Sequence, residues 1–504
     1  MNYKELLSQG AFKYKHKIAL YYGDQKFSFQ DLEARTNQAA HALLSLKVSK
    51  STRVAIILPS SPDMVTVFFG VTKIGAVAVT IDPRVAGADL DYLLRDCQAQ
   101  VVVSNSAILN PLEHRLTSFE HLKQVIVMDE TAPSSHLSYK EITSSCPNTL
   151  PETQVSDDDV DMIQYTSGTT GTPKGVMTTH GSHYVSLRLI AETYGQTDRD
   201  AFLIPEMPPA WMISQLIGSW ALGSPVAVVV QPGHLPFLET AGRIKASIAF
   251  TPMPIIFQMD KMPDSVAKGF NLTSLRLLIT GGLAPGQEIF KSIRSRFGVP
   301  LILGYACNEA GGWIALQPLD GSGVPGSCGK PFPGTQVKIL DESGRQSGTN
   351  QMGEIIFRGP GMMKGYYNRP LATSEAIKNG WLFTGDLGKI DEEGNLFVVG
   401  RKKEMIKIGD REILPTDIEE VMSTHPKIAE VAVMGTDKGL KAVVVLKFNT
   451  RATAQDIINF AQKQLRPEDV PDTIEFVTSL PRTLTGKIQR WALNNPTPPP
   501  TPLR

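Results

Sequence analysis

Cysteine is scarce in this sequence. Only four occur among 504 residues, at Cys97, Cys146, Cys307 and Cys328, and no two form a Cys-x-x-Cys pair. A small secreted scaffold would need more cysteines, and a structural zinc site would need them closely spaced. The four thiols are therefore expected to be buried or free, and the fold must depend on ordinary hydrophobic cores.

An excess of charge of one sign is also missing. Lys and Arg together number 50, and so do Asp and Glu, which gives no general reason to expect a nucleic acid or an anionic membrane as partner. No apolar run approaches the ~20 residues that span a bilayer. The charged first 20 residues lack the continuous apolar segment of a signal peptide. A soluble, cytoplasmic protein without a membrane span is expected.

What the chain does contain is an alternation of short β-branched runs with longer amphipathic stretches. Examples are the apolar runs at 53–58, 76–81 and 275–280, with a helical pattern at 64–73 between the first two. Strands that alternate with helices predict crossover connections and largely parallel sheets covered on both faces. The predicted fold class is therefore α/β, in more than one packed unit because 504 residues exceed one ordinary core.

The composition and the predicted element pattern of the sequence change after residue 330. Residues 330–400 are rich in glycine and contain short strand patterns at 336–340, 353–357 and 395–399, which predict a small β-rich subdomain. A charged junction at 400–404 leads to a compact α/β unit. We therefore predict a large N-terminal domain over 1–402, a small C-terminal domain over 403–493, and a stiff Pro-rich tail or linker over 494–504.

The segment 165–175 has the composition of a phosphate-binding loop. It follows a predicted strand at 161–164 and combines three glycines with hydroxyl side chains and Lys174. Glycines let backbone N–H groups converge on an anion, hydroxyls donate to phosphate oxygens, and a lysine neutralises charge. The segment is not a Walker A loop, because Lys174 follows proline and precedes glycine. The Gly-x-Gly-x-x-Gly pattern at 321–326 lacks a following helix, so it does not predict dinucleotide binding.

In this context the chain resembles the adenylate-forming superfamily, which includes acyl- and aryl-CoA ligases, the adenylation domains of nonribosomal synthetases, and firefly luciferase. The resemblance covers about 27–493 and rests on segments that occur in the family's order. They are 166–175, 278–285, 304–309, 353–360, 381–386, 400–401, 418–419 and 480–487. It implies a large N-terminal domain that binds ATP and the acid, followed by a mobile C-terminal domain with a catalytic lysine.

The resemblance also implies a role for each matching residue. The loop would bind pyrophosphate, Tyr305 would stack on adenine, Asp386 and Arg401 would bind the ribose, and Lys403 would be the hinge. The implied ATP-binding residues are Thr166, Ser167, Gly168, Thr169, Thr170, Gly171, Lys174, Gly282, Tyr305, Asp386 and Arg401. The implied catalytic residues are Asn308, Glu309 and Lys487, of which Glu309 would also hold Mg²⁺ and Lys487 would bridge the α-phosphate and the substrate carboxylate.

The implied reaction joins a carboxylic acid to AMP, releases pyrophosphate, and passes the acyl group to the thiol of CoA. The acyl pocket would be lined by Met207, Pro208, Trp211, Met212, Gly281 and Ala306. The family's amino-acid-activating members have an aspartate near position 207, and its absence favours an apolar acyl, aryl or alicyclic acid over an amino acid.

Three alternatives for the acceptor and the activity remain open from the sequence. The acyl group could pass to the phosphopantetheine of a carrier protein or to an amine, or the chain could be a non-catalytic nucleotide-binding homologue. Asp410 stands where the family's glycine lines the passage for the pantetheine arm, which bears on the second step.

Overall fold

Two large sheets form the core of the N-terminal domain. The computed structural model describes residues 2–129, 135–166, 172–282, 286–409, 411–437, 439–482 and 488–493. The first sheet has nine strands, and its central members run parallel. In spatial order they are Lys330–Pro331, Gly312–Leu316, Leu301–Cys307, Leu277–Gly281, Ile248–Phe250, Phe202–Pro205, Val226–Val229, Ile18–Tyr22 and Gln25–Ser28.

The second sheet has eight strands and is also parallel at its centre. In spatial order they are Gly365–Tyr366, Gly175–Thr179, Val160–Tyr165, Val77–Thr80, Arg53–Ile57, Val101–Ser104, Gln124–Val127 and Leu137–Ser138. The predicted strands at 53–58, 76–81 and 275–280 are all present, within two residues of the expected boundaries.

The largest hydrophobic core lies between these two sheets. It contains side chains from both, such as Leu20 and Val54, together with Phe68 and Phe69 of the helix Pro62–Lys73. That helix begins at a Ser61 cap, whose side chain accepts from the N–H of Met64, and almost all of its residues are buried. Separate clusters cover the outer face of each sheet. Coverage on both faces explains why the strands read as continuous apolar runs.

A five-stranded antiparallel sheet forms the predicted β-rich subdomain. Its strands are Gln336–Leu340, Gly353–Arg358, Ile377–Lys378, Trp381–Ile390 and Leu396–Arg401. The C-terminal unit contains a hairpin and a three-stranded sheet, built from Ile406–Ile408, Arg411–Ile413, Ile428–Thr436, Gly439–Leu446 and Thr473–Phe476. The fold is therefore α/β, with a large N-terminal domain of sheets and a small C-terminal domain, as predicted.

Helices connect the strands of both domains. The α-helices are Leu6–Tyr14, Phe29–Ser45, Pro62–Lys73, Gly87–Asp96, Ser106–Leu109, Glu113–Leu116, Tyr139–Thr143, His180–Thr193, Pro209–Ala221, His234–Ile244, Met253–Lys261, Asp264–Ala267, Gln287–Phe297, Pro370–Ala376, Pro415–Ser423 and Ala454–Gln464. Short 3₁₀ helices span Asn110–Leu112, Asn308–Ala310, Lys402–Glu404, Pro467–Asp469 and Arg490–Leu493. Within the described part of the chain, no helix has the length and apolar character needed to cross a membrane.

Candidate functional site

The predicted phosphate loop connects two antiparallel strands. Tyr165 is the register partner of Gly175, and the N–H of Thr166 donates to the carbonyl of Lys174 over 3.0 Å. The strand Gly175–Thr179, which the sequence analysis did not predict, lies between the loop and the helix His180–Thr193. Glycine is needed at 175, since a Cβ there would lie 2.7 Å from Ile163.

Thr166 and Lys174, at the two ends of the loop, are half-buried. Five residues predicted to bind ATP lie outside the described residues. They are Ser167, Gly168, Thr169, Thr170 and Gly171.

Three predicted nucleoside-binding residues meet at the end of the β-rich subdomain. Tyr305 lies on the strand Leu301–Cys307, and its Oη donates to Oδ2 of Asp386 over 2.6 Å. Asp386 and Arg401 are register partners on adjacent antiparallel strands, and Nε of Arg401 lies 3.1 Å from Oδ1 of Asp386. Burial, reinforced by the Asp386 carboxylate, raises the pKa of Tyr305 well above its ordinary value, so its hydroxyl remains a donor.

A second group joins the predicted metal ligand to the loop. Glu309 lies in the 3₁₀ turn Asn308–Ala310, beside Asn308, and both side chains are half-buried. The Oη of Tyr366 donates to Oε1 of Glu309 over 3.0 Å, and Nζ of Lys174 lies 4.8 Å from the centroid of the Tyr366 ring. The sequence analysis missed Tyr366. Its only local signal is a Gly-Tyr-Tyr run at 365–367, which does not reveal these contacts.

Glycines and a tryptophan shape the region beside Tyr305. A Cβ on Gly281 or Gly304 would lie 2.7 or 2.6 Å from the Trp313 indole, so this ring packs directly on both strands. Trp313 is also the register partner of Ala306, whose side chain is exposed. Gly282 has φ +100°, and no atom of a described residue beyond its chain neighbours lies within 4 Å of where a Cβ would be. The sequence analysis named Gly281, Gly282 and Ala306 but not Trp313.

The other four predicted pocket residues, which lie in the segment 207–212, have different environments. Met207 is 8% exposed, and its carbonyl accepts from the Ser60 hydroxyl over 2.6 Å. Pro208 is half-buried, and Trp211 is 36% exposed. Met212 has no exposed surface and belongs to the main core, so packing accounts for it without a ligand.

The predicted hinge lies in the 3₁₀ turn Lys402–Glu404, where the Lys403 side chain is exposed. On its large-domain side, Nζ of Lys402 donates to Oε2 of Glu354 over 2.8 Å. On the C-terminal side, Arg490 lies 3.1 Å from Glu404 and donates to Glu419 over 2.9 Å. The predicted catalytic Lys487 and the divergent Asp410 lie outside the described residues.

Two family models match the chain. The AMP-binding enzyme model matches residues 7–367, and the model for the AMP-binding enzyme C-terminal domain matches residues 417–487. Among curated relatives, the long-chain-fatty-acid–CoA ligase of Bacillus subtilis (strain 168) is 28% identical, covering 97% of this chain and 93% of the relative. The 4-coumarate–CoA ligase 2 of Nicotiana tabacum is 29% identical, covering 92% and 88%.

Solved structures that this chain resembles also include CoA ligases and synthetases. An anthranilate CoA ligase in complex with anthranoyl-AMP superposes with a TM-score of 0.88 at 27% identity, covering 98% of this chain and 96% of that one. The o-succinylbenzoate CoA synthetase of Bacillus subtilis, in complex with ATP and a magnesium ion, superposes with a TM-score of 0.86 at 27% identity, covering 97% and 99%. Because the first family model alone matches more than half of the chain, this protein belongs to the AMP-binding enzyme family.

Proposed function

We propose that this protein is an AMP-forming acid–thiol ligase. It activates a carboxylic acid with ATP, releases pyrophosphate, and transfers the acyl group from the adenylate to the thiol of CoA. The observation that carries the proposal is the set formed by Tyr305, Asp386 and Arg401. These three motif residues are distant in sequence but joined at 2.6 and 3.1 Å, and they provide a ring, a carboxylate and a guanidinium for a nucleoside.

The charges of the site suit attack by a carboxylate on the α-phosphorus. Both reactants are anions, so the site must offset their repulsion and the charge of the leaving pyrophosphate. Lys174 and the Thr166 end of the loop would bind the pyrophosphate, while Lys487 would bind the α-phosphate and the attacking carboxylate. Asn308 would donate to a phosphate oxygen from its side-chain amide.

Glu309 suits Mg²⁺ as a single ligand. Mg²⁺ is usually held by one or two carboxylates, with phosphates and waters completing the octahedron. Among the residues that the structure describes, no group of three His, Cys, Asp or Glu side chains could hold a metal ion, so the ATP phosphates and water molecules would supply the remaining ligands. When bound, Mg²⁺ would neutralise phosphate charge, and Glu309 would hold it beside the loop.

The acid is proposed to be an apolar acyl, aryl or alicyclic acid. Met207, Trp211, Gly281 and Ala306 contribute no charge to the predicted pocket, and Pro208 adds another apolar group. An α-ammonium group would be buried there without a carboxylate partner at position 207, at a cost of several kcal/mol.

The acceptor is proposed to be CoA, since the curated relatives and solved neighbours described above are named as CoA ligases or synthetases. Transfer to a carrier-protein phosphopantetheine or to an amine is tested as an alternative. The proposed domain division places residues 1–402 in the ATP- and acid-binding domain and 403–493 in a mobile C-terminal domain. Rotation at Lys403 would withdraw Lys487 from the active site. It would bring a different face of the C-terminal domain to the adenylate for thioester formation.

The deciding experiment measures pyrophosphate release from ATP with a panel of fatty, aryl and alicyclic acids. We expect release that depends on the acid, and a thioester when CoA is added. Holo carrier protein and amines are supplied in parallel reactions to identify the acceptor. ATP binding without release from any acid would contradict the proposal and support the non-catalytic homologue.

A further inference from the structure

We propose that Tyr366 is a positioning residue, which holds the Glu309 carboxylate for a divalent cation and the Lys174 ammonium for phosphate. The inference rests on the proposed function, because it assigns Glu309 and Lys174 their ligands. It adds a residue to which neither the sequence motifs nor the comparisons give a role. Tyr366 contacts the two oppositely charged side chains through different parts of its own side chain.

The backbone around Tyr366 is tied to both partners. The N–H of Met363 donates to the carbonyl of Glu309 over 2.8 Å, and the N–H of Tyr367 donates to the carbonyl of Gly175 over 2.8 Å. Tyr366 is itself the register partner of Val176 on the strand that follows the loop. The phenol is therefore supported from the metal side and from the loop side at once, as a positioning residue must be.

The chemistry of the contacts explains why a tyrosine suits this place. Its hydroxyl donates a neutral hydrogen bond to Oε1 of Glu309. This bond holds the carboxylate in place without a second cation, which would compete with the metal ion. The ring face attracts the Lys174 ammonium, whose remaining N–H donors would be available to phosphate.

A purely structural role makes a different prediction. Tyr366 packs against the cluster that contains Tyr305 and Phe357, and loss of packing would lower stability without altering the linkage between metal and nucleotide. The adjacent Tyr367 supplies a matched control, because its Oη donates to Oε1 of Gln98 over 3.0 Å, and neither Gln98 nor Tyr367 has a proposed role at the site.

The test compares Tyr366→Phe, Tyr366→Leu and Tyr367→Phe with the wild-type protein. Calorimetry measures the Kd for ATP in MgCl₂ and in EDTA, and pyrophosphate release measures the Mg²⁺ concentration at half-saturation. For Tyr366→Phe we expect this concentration to rise about 5-fold or more, while the Kd in EDTA changes less than about 2-fold. Tyr366→Leu should also weaken ATP binding in EDTA about 3-fold, because Lys174 loses the ring.

Two results would overturn the proposal. One is an unchanged ratio of the two ATP Kd values in Tyr366→Phe, and the other is the same shift in Tyr367→Phe. A Glu309→Gln background adds a check, since the Tyr366→Phe effect on this ratio should disappear there. These binding ratios can be measured even if no acid supports pyrophosphate release, so failure of the positioning role is distinguishable from failure of the proposed ligase activity.

Discussion

Lys73 has a fully buried ammonium in the interior of the large domain. Its Nζ donates to Oε2 of Glu33 at 2.7 Å, to Oγ1 of Thr36 at 2.8 Å and to Oδ1 of Asn37 at 2.7 Å. Burial lowers the pKa of Lys73 from 10.5 to about 8, and the Glu33 carboxylate opposes that shift. The side chain thus joins the helices Phe29–Ser45 and Pro62–Lys73 through polar contacts within their otherwise apolar interface.

The depressed pKa of Lys73 predicts how stability varies with pH. Between pH 8 and pH 10.5 the unfolded chain binds more protons at this residue than the folded one, so its contribution to stability rises with pH, by up to ~3 kcal/mol. Lys73→Met does not titrate, and at pH 7 it should cost ~2–4 kcal/mol because Glu33 loses its cation. The thermal midpoints of wild type and variant should therefore diverge further from pH 8 to pH 10.

The control for this prediction is the double variant Glu33→Gln, Lys73→Met, which removes both charges and should recover part of the lost stability. A constant difference between wild type and Lys73→Met across the pH range would show that Lys73 titrates normally.

Asp386 is the residue through which the proposed nucleoside site can be tested. Asp386→Asn keeps the shape but weakens the charge-assisted contacts with Tyr305 and Arg401. We expect the KM for ATP to rise about 10-fold with little change in the KM for the acid, measured by pyrophosphate release. Asp391→Asn is the control, because Asp391 lies in the same subdomain but accepts from the N–H of Asn395 in a turn. Equal effects of both variants would contradict a specific role for Asp386.

At the scale of elements, three strands determine the space beside the proposed acyl pocket. The strands Leu277–Gly281 and Leu301–Cys307 are parallel, and Gly312–Leu316 pairs with the second in antiparallel register. The Trp313 indole lies over Gly281 and Gly304, where a Cβ would collide with it, and the Phe250 ring lies 6.3 Å away. The indole therefore occupies space that the paired glycines leave open.

Trp313→Ala should enlarge that space. We expect kcat/KM for longer or bulkier acids to rise about 10-fold relative to the smallest acid that the wild-type protein accepts. Pyrophosphate release across a homologous series of acids is the measurement. The truncation also costs ~3–5 kcal/mol of stability, so Trp313→Phe, whose side chain is intermediate in size, serves as a milder variant. Trp381→Ala, on the β-rich subdomain, controls for loss of an indole elsewhere and should leave acid preference unchanged. An unaltered preference in Trp313→Ala would contradict the prediction.

At the scale of the whole molecule, the proposed domain boundary lies in the turn Lys402–Glu404. The Thr416 hydroxyl donates to the carbonyl of Val399 over 2.8 Å, and Arg490 joins Glu404 to Glu419. The Thr416–Val399 contact crosses the proposed boundary and is polar, which suits an interface that is proposed to open and re-form.

The hinge prediction concerns the two half-reactions separately. Lys403→Pro fixes φ near −65° at a position that would have to rotate. We expect adenylation to stay within about 3-fold of the wild-type rate and thioester formation to fall at least about 10-fold, measured in single turnovers. Lys403→Ala removes the side chain without restricting the backbone and should affect neither step strongly. If Lys403→Pro left both half-reactions intact, rotation at this residue would be excluded.

The local pattern of the sequence predicted individual helices and strands better than it predicted how they are connected and paired. The strand patterns at 336–340, 353–357 and 395–399 matched observed strands within two residues, because apolar periodicity and β-branched runs report local backbone preference. The strand Gly175–Thr179 was missed, and with it the hairpin around the phosphate loop. Its pairing with Val160–Tyr165 is a tertiary fact that the five residues alone do not signal.

The sequence by itself determined the α/β class, the composition of the predicted phosphate loop and the uncharged composition of the predicted pocket, since these depend on residue type and short-range spacing. Only the tertiary structure decided that Tyr366 contacts Glu309, 57 residues away, and that Tyr305 contacts Asp386, 81 residues away. It also decided that Trp313 lies over two glycines. The reason is that β-sheet register aligns residues from distant segments, and that register follows from packing of the whole domain rather than from any one segment.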